Sequence, residues 1–142
     1  MGSLFERLTS EVVGEYRVGE LSWRQAIELF EAVYMASRNL AVRTRKEYRN
    51  DLEQLADFAA EAGADAPEEV GLSHLQGFLA HLDQQDLTGT TRRRKTSSIK
   101  AFFKYLQSAG LIRHNPALQL VPPEREYKEP RFLTTQEYRA LL

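Results

Sequence analysis

Between Leu87 and Pro123 this 142-residue sequence carries seven Lys and Arg side chains and no Asp or Glu. Four of the cations are consecutive, Arg92-Arg93-Arg94-Lys95, and Lys100 and Lys104 follow. Arg93, Ser97, Lys100 and Lys104 stand four, three and four residues apart, so on a helix they line one face, roughly opposite Ile99, Phe102 and Leu106. Arg92, Arg94 and Lys95 widen that face at its N-terminal end, where Thr91, Thr96 and Ser98 supply hydroxyls. Such a face suits phosphate: point charges and short donors in a row, beside the unpaired N–H groups of a helix start. Arg also carries the paired donors that read base edges from a helix in a major groove.

A second cluster, Arg43, Arg45, Lys46 and Arg49, opens another helical stretch, whose later half holds Asp51, Glu53, Asp57 and Glu61. The helix dipole favours acids first and bases last, so this order runs against local stability. A local rule broken without a local gain is a reason to suspect function. The bland alternative is a solvated charge run with no ligand. Against it stand the absence of acids around the first cluster and the mutual repulsion of four adjacent cations.

No other constellation assembles a reaction. His74 and His81 are seven apart with Asp83 and Asp86 nearby, but no His-x-x-x-His pattern makes a metal site of them. Glu28 with Glu31, and Asp65 with Glu68 and Glu69, read as solvated acids. No Ser lies in a Gly-x-Ser-x-Gly turn, and no glycine-rich phosphate loop is present. With no Cys, disulfides, thiol nucleophiles and thiolate metal sites are excluded. No metal or cofactor is expected.

The overall charge of −1 conceals a strong asymmetry. Residues 1–86 carry eight basic and sixteen acidic side chains, residues 87–123 seven basic and none acidic, and residues 124–142 four of each. A localised polyanion contact fits this distribution better than the pI near 6.3 would suggest. At 42% hydrophobic and 27% charged residues the composition is that of a folded domain. No apolar run is long enough to span a bilayer and no signal peptide opens the chain, so a soluble, cytoplasmic setting is expected.

The elements that must position the clusters are helical. Leu4, Leu8, Val12 and Tyr16 outline an additional N-terminal helix to about Val18, weakened by Gly14. Ser22 and Gln25 form a capping box ahead of Trp23, Ile27, Phe30 and Tyr34, a helix reaching about Arg38. Thr44 with Glu47 can cap the next, though that helix could also start a residue or two earlier; its apolar face is Tyr48, Leu52, Leu55, Ala59 and Ala62, with Gly63 as its stop. Ser73 can cap a third around Leu75, Phe78, Leu79 and Leu82. Thr90 or Thr91 opens the fourth, with Ile99, Phe102, Phe103 and Leu106 as core and Gly110 as its stop. From Leu111 to Pro130 the sequence reads as a proline-bearing linker, first packed and then exposed. Leu133-Thr134-Thr135-Gln136-Glu137 begins a further helix that ends with the sequence, as expected of a piece of a longer protein. The fold class is therefore all-α: a four-helix bundle, orthogonal or antiparallel, with an optional N-terminal helix and an extended C-terminal linker.

Three stretches together resemble the N-terminal core-binding domain of tyrosine recombinases, the phage-integrase and Xer-like site-specific recombinases. They are Asn39-Leu-Ala-Val-Arg-Thr-Arg-Lys-Glu-Tyr-Arg-Asn-Asp-Leu52, Thr91 through Ser98-Ile-Lys-Ala-Phe-Phe-Lys-Tyr-Leu106, and Gly110-Leu-Ile-Arg-His-Asn-Pro-Ala117. Pro130-Arg-Phe-Leu-Thr-Thr-Gln-Glu-Tyr-Arg-Ala-Leu-Leu142 looks like the opening of the family's catalytic domain. The likeness covers roughly Ser22 to Leu142. Each motif alone is a short amphipathic pattern; their order, with Asn115-Pro116 after the last helix and the Leu-Thr-x-x-Glu opening, carries the specificity.

The resemblance implies a SAM-like four-helix bundle gripping one face of duplex DNA. It divides the chain into an arm or extension (1–21), a core-binding domain (22–120), an interdomain linker (121–132) and the start of a catalytic domain (133–142). DNA contact is expected from Arg43, Arg45, Lys46, Arg49, Thr91, Arg92, Arg94, Lys95, Lys100 and Lys104 as a group, with Arg93 added on its own spacing. The family's tyrosine nucleophile and its Arg, Lys and His partners belong to the domain that follows, and Tyr138 matches a structural helix there, so these residues should bind DNA and not cut it. The expected partners are double-stranded DNA and other recombinase protomers in a DNA-bound tetramer, with no membrane. The alternative is a helical protein-interaction module whose basic face meets an acidic protein.

Overall fold

The computed structural model describes residues 16–121. The proposed N-terminal helix, apart from its last residues, and the stretch from Pro122 onward lie outside them. Of that helix's expected end, Tyr16 is a bend and Val18 a turn, so it does not reach Val18.

Four helices form the described fold: α1 (Trp23–Leu29, continuing as a π-helix over Phe30–Met35), α2 (Val42–Glu61), α3 (Leu72–Asp83) and α4 (Gly89–Ser108). A 3-10 turn at Pro67–Glu69 joins α2 to α3, and no strand occurs among the described residues. None of the described helices is long and apolar enough to cross a membrane.

The Ser22–Gln25 capping box forms as the sequence predicts: Ser22 Oγ accepts from the Gln25 N–H at 3.1 Å, and Gln25 Oε1 accepts from the Ser22 N–H at 3.0 Å. The π-helix was not anticipated, and it has a packing reason. Continued at 3.6 residues per turn, the helix would carry Met35 about 120° away from Trp23. The wider π turns bring Met35 back to the core, where it is fully buried.

Three helix starts differ from expectation. α2 begins at Val42 behind Ala41, whose side chain cannot cap, so Thr44 lies inside the helix. The start is set instead by the end of the preceding helix, where Asn39 turns left-handed (φ 50°) and the Leu40 N–H returns to the Met35 carbonyl. At α3 the cap is Gly71, not Ser73, and its N–H donates to Nδ1 of His74 at 2.9 Å. That contact gives His74 a helix-start role. At α4 the cap is Thr88, whose hydroxyl accepts from the Thr91 N–H at 3.2 Å. Gly63 (φ 93°) and Gly110 (φ 73°) stop α2 and α4 in the left-handed region, as predicted.

α2 packs on α4, α3 packs on both, and the α1/π segment closes the remaining side. Trp23 stacks on Phe102 (6.1 Å between centroids), Phe30 meets Phe102 edge-on at 5.5 Å, and the Trp23 indole N–H reaches the Ala64 carbonyl at 3.0 Å. Leu52, Leu55, Ala59, Leu75, Phe78, Leu82, Ile99, Phe103 and Leu106 complete the predicted core; Ala62 is exposed where α2 ends. After α4 the chain stays packed: Leu111, Ile112, Ala117 and Leu120 are buried. Two acids expected to be solvated are structural. Glu69 accepts from the Asp65 and Ala66 N–H groups, and Glu68 takes both the backbone and the guanidinium of Arg113.

Candidate nucleic-acid interface

The joint between α2 and α4 centres on a carboxylate that is fully buried, Asp51. Arg94 donates to it through Nε (3.2 Å) and Nη2 (2.9 Å), and Lys95 Nζ donates at 2.9 Å. The Ser98 hydroxyl lies 3.2 Å from Oδ2 and 2.9 Å from the Lys95 carbonyl. Lys95 Nζ also donates to Gln54 Oε1 at 2.6 Å. The hydrogen bonds Arg94 makes to Asp51 raise its pKa further, so its charge is secure. Asp51 thus ties the two helices that carry the basic clusters to one another.

The expected site residues fall into three groups. Lys95 is only 5% exposed, and Thr96 and Ser98 are buried, so none of them widens an exposed face as the sequence suggested. Lys95 and Ser98 are turned toward α2, where both meet Asp51, and the Thr96 hydroxyl is spent on the Arg92 carbonyl of its own helix. Lys95 is held by Asp51 and Gln54.

Other cations meet the domain's own acids. Arg43 pairs with Glu47 (3.2 Å), Arg49 with Glu31 and Glu53 (3.4 Å each), Arg92 with Asp83, and Arg94 with Asp51 and more distantly Glu47 (3.8 Å). Three of the four consecutive cations of α4 therefore meet acids from α2 and α3 across the tertiary fold, Arg92 through Asp83 and Arg94 and Lys95 through Asp51; Arg93 does not.

Arg45, Lys46, Arg93, Lys100 and Lys104 have no carboxylate partner among the described residues. Arg45 Nε donates to the Leu40 carbonyl at 2.8 Å, Lys100 Nζ to the Leu120 carbonyl at 2.8 Å, and Arg93 reaches the Thr90 hydroxyl at 3.4 Å. Lys46 and Lys104 extend into solvent. The Thr91 hydroxyl accepts from that of Thr88 at 3.0 Å.

Lys100 and Lys104 border an open groove of about 810 Å³ with Tyr34, Arg38 and Tyr105. Arg38, which the spacing did not single out, sits 5.0 Å above the Tyr34 ring. Burial pushes the Tyr105 phenol up to about 12, so it stays neutral beside the lysines.

Sequence reasoning missed Asp51, Gln54 and Glu47. A signal for Asp51 was available: it lies three residues after Tyr48 and four before Leu55, on the apolar side of its own helix. No group of three or more His, Asp or Glu side chains among the described residues is arranged to hold a metal ion.

The profile of the phage integrase N-terminal SAM-like domain matches residues 27–110. Similar curated proteins include the tyrosine recombinase XerC of Pseudomonas syringae pv. tomato, 31% identical over 107 residues, which are 75% of this chain and 36% of that protein. The XerC of Chlorobaculum parvum is 32% identical over 133 residues (89% and 39%), and that of Oceanobacillus iheyensis 32% over 111 residues (78% and 36%). The chain spans little more than a third of the length of these relatives. No solved structure matches it significantly.

Proposed function

The chain belongs to the phage-integrase N-terminal SAM-like family, the core-binding domains of XerC-like tyrosine recombinases, and on that premise we propose that it binds duplex DNA at a recombination half-site. The observation that carries the reading is the Asp51 joint, which fixes the two cation-bearing helices against each other. Phosphate contact is assigned first to Arg45, Lys46, Arg93, Lys100 and Lys104, whose charges no acid among the described residues pairs with. Thr91 supplies a hydroxyl at the start of α4. Arg43, Arg49, Arg92 and Arg94 contribute by exchanging a carboxylate for a phosphate, and Lys95 supports them from beneath. In the whole protein this domain would serve strand exchange in an assembly of several protomers, with the bond-breaking chemistry supplied by a catalytic domain.

Titration of a fluorescent duplex over a salt series tests this. Five neutralised phosphates give a slope of log affinity against log salt of about −4 to −5, so affinity falls by at least two orders of magnitude between about 50 and 200 mM. Replacing Lys46 and Lys104 together with Ala should weaken binding to every sequence and flatten that slope by about 2. Absent or salt-independent binding by the folded domain would overturn the reading. Saturable capture of an acidic protein would then favour the interaction-module alternative.

A further inference from the structure

Glu47 lies one turn after Arg43 and one turn before Asp51 on α2. Its Oε1 accepts from Arg43 Nε at 3.2 Å, and its Oε2 stands 3.8 Å from Arg94 Nη1. Arg94 spends its Nε and Nη2 on Asp51, so Nη1 is the edge it has left, and Glu47 occupies it. One carboxylate therefore joins a cation of α2 to a cation of α4. Its setting differs from that of Asp51. Asp51 is fully buried and cannot leave without unpairing Lys95. The Glu47 side chain is 33% exposed and that of Arg43 is 91% exposed, so their pair is solvated, weak and displaceable.

We propose that Glu47 is a built-in competitor for the DNA backbone: a specificity-determining carboxylate that holds Arg43 and Arg94 until a phosphate displaces it. The inference rests on the duplex-binding reading above. A phosphate offers Arg the same charge sign and the same paired oxygens as a carboxylate. When a phosphate seats on Arg43 and Arg94, the displaced Glu47 stays nearby and repels it. Only a backbone that reaches both arginines at once overcomes that repulsion. One that meets a single arginine leaves the pair closed, so Glu47 suppresses poorly aligned binding.

The test is a salt-series titration of a random-sequence duplex by the unaltered chain, Glu47→Gln and Asp57→Asn. Gln keeps the shape of Glu and removes its charge. Asp57→Asn makes the same change in net charge further along α2, beyond Asp51. Glu47→Gln should tighten binding to random duplex about two- to fivefold and steepen the salt slope, while Asp57→Asn should change it far less. If the unaltered chain binds but Glu47→Gln is unchanged or weaker, or Asp57→Asn tightens binding equally, the competitor role is overturned and the duplex-binding reading stands. If none of the three binds, both inferences fall.

Discussion

Asp51→Ala should destabilise the domain by about 3–5 kcal/mol, with a fall in Tm on the order of 10–20 °C in thermal unfolding. The cost comes from what the substitution leaves behind. Lys95 is 5% exposed and would keep only Gln54, an uncharged partner, for its ammonium. Arg94 is better placed, since its side chain is 30% exposed and Glu47 stands at its other edge. The Lys95 charge is therefore the main source of the loss. That assignment has its own check: adding Lys95→Met to Asp51→Leu should recover most of the stability, because replacing both members of a buried pair with apolar groups costs far less than removing one. A loss below about 1 kcal/mol for Asp51→Ala, or no recovery in the double variant, would contradict the role given to the joint.

Phe102→Ala should cost a comparable amount, about 3–5 kcal/mol, measured by urea unfolding. Phe102 is fully buried and lies where three helical segments meet. Trp23 stacks on it, Phe30 approaches edge-on at 5.5 Å and Phe103 at 5.2 Å. Truncation removes the ring and three aromatic contacts from a site whose other walls are themselves rigid rings, so collapse of the void is limited. Leu118→Ala is the matched contrast. Leu118 is 75% exposed, and its loss should stay within about 0.5 kcal/mol. Equal effects at the two positions would show that α4 does not bury the face assigned to it.

The difference between Phe102 and Asp51 also marks what the sequence could reveal. The Phe102 face was legible because its signal is local: Ile99, Phe102, Phe103 and Leu106 repeat at helical spacing and Gly110 stops the run. The Ser22–Gln25 capping box was legible for the same reason. The starts of α2 and α3 were not, because Ala41 and Gly71 cap through backbone geometry and through His74, not through a Ser or Thr side chain. The π-helix at Phe30–Met35 answers to packing that no short window contains.

The site divided along the same line. Two cation-bearing helices could be read from the sequence, but the acids that meet them lie on other segments. Arg94 and Lys95 find Asp51 more than forty residues upstream, and Arg92 finds Asp83 on α3. A charge count along the chain treats such residues as separate, whereas the fold neutralises them in place. Lys95 accordingly changes from an expected contact to a support, and Lys46 and Lys104 gain weight because they remain in solvent.

Amide chemical-shift mapping during titration with a short duplex tests most directly whether the two helices form one DNA-binding surface. The expected result is that the largest shifts fall together on Val42 to Arg49 and on the exposed positions from Thr91 to Lys104, saturate at one common affinity, and fade together as salt is raised. Shifts confined to α3 and the Pro67–Glu69 turn, or two sets that saturate at different duplex concentrations, would contradict it.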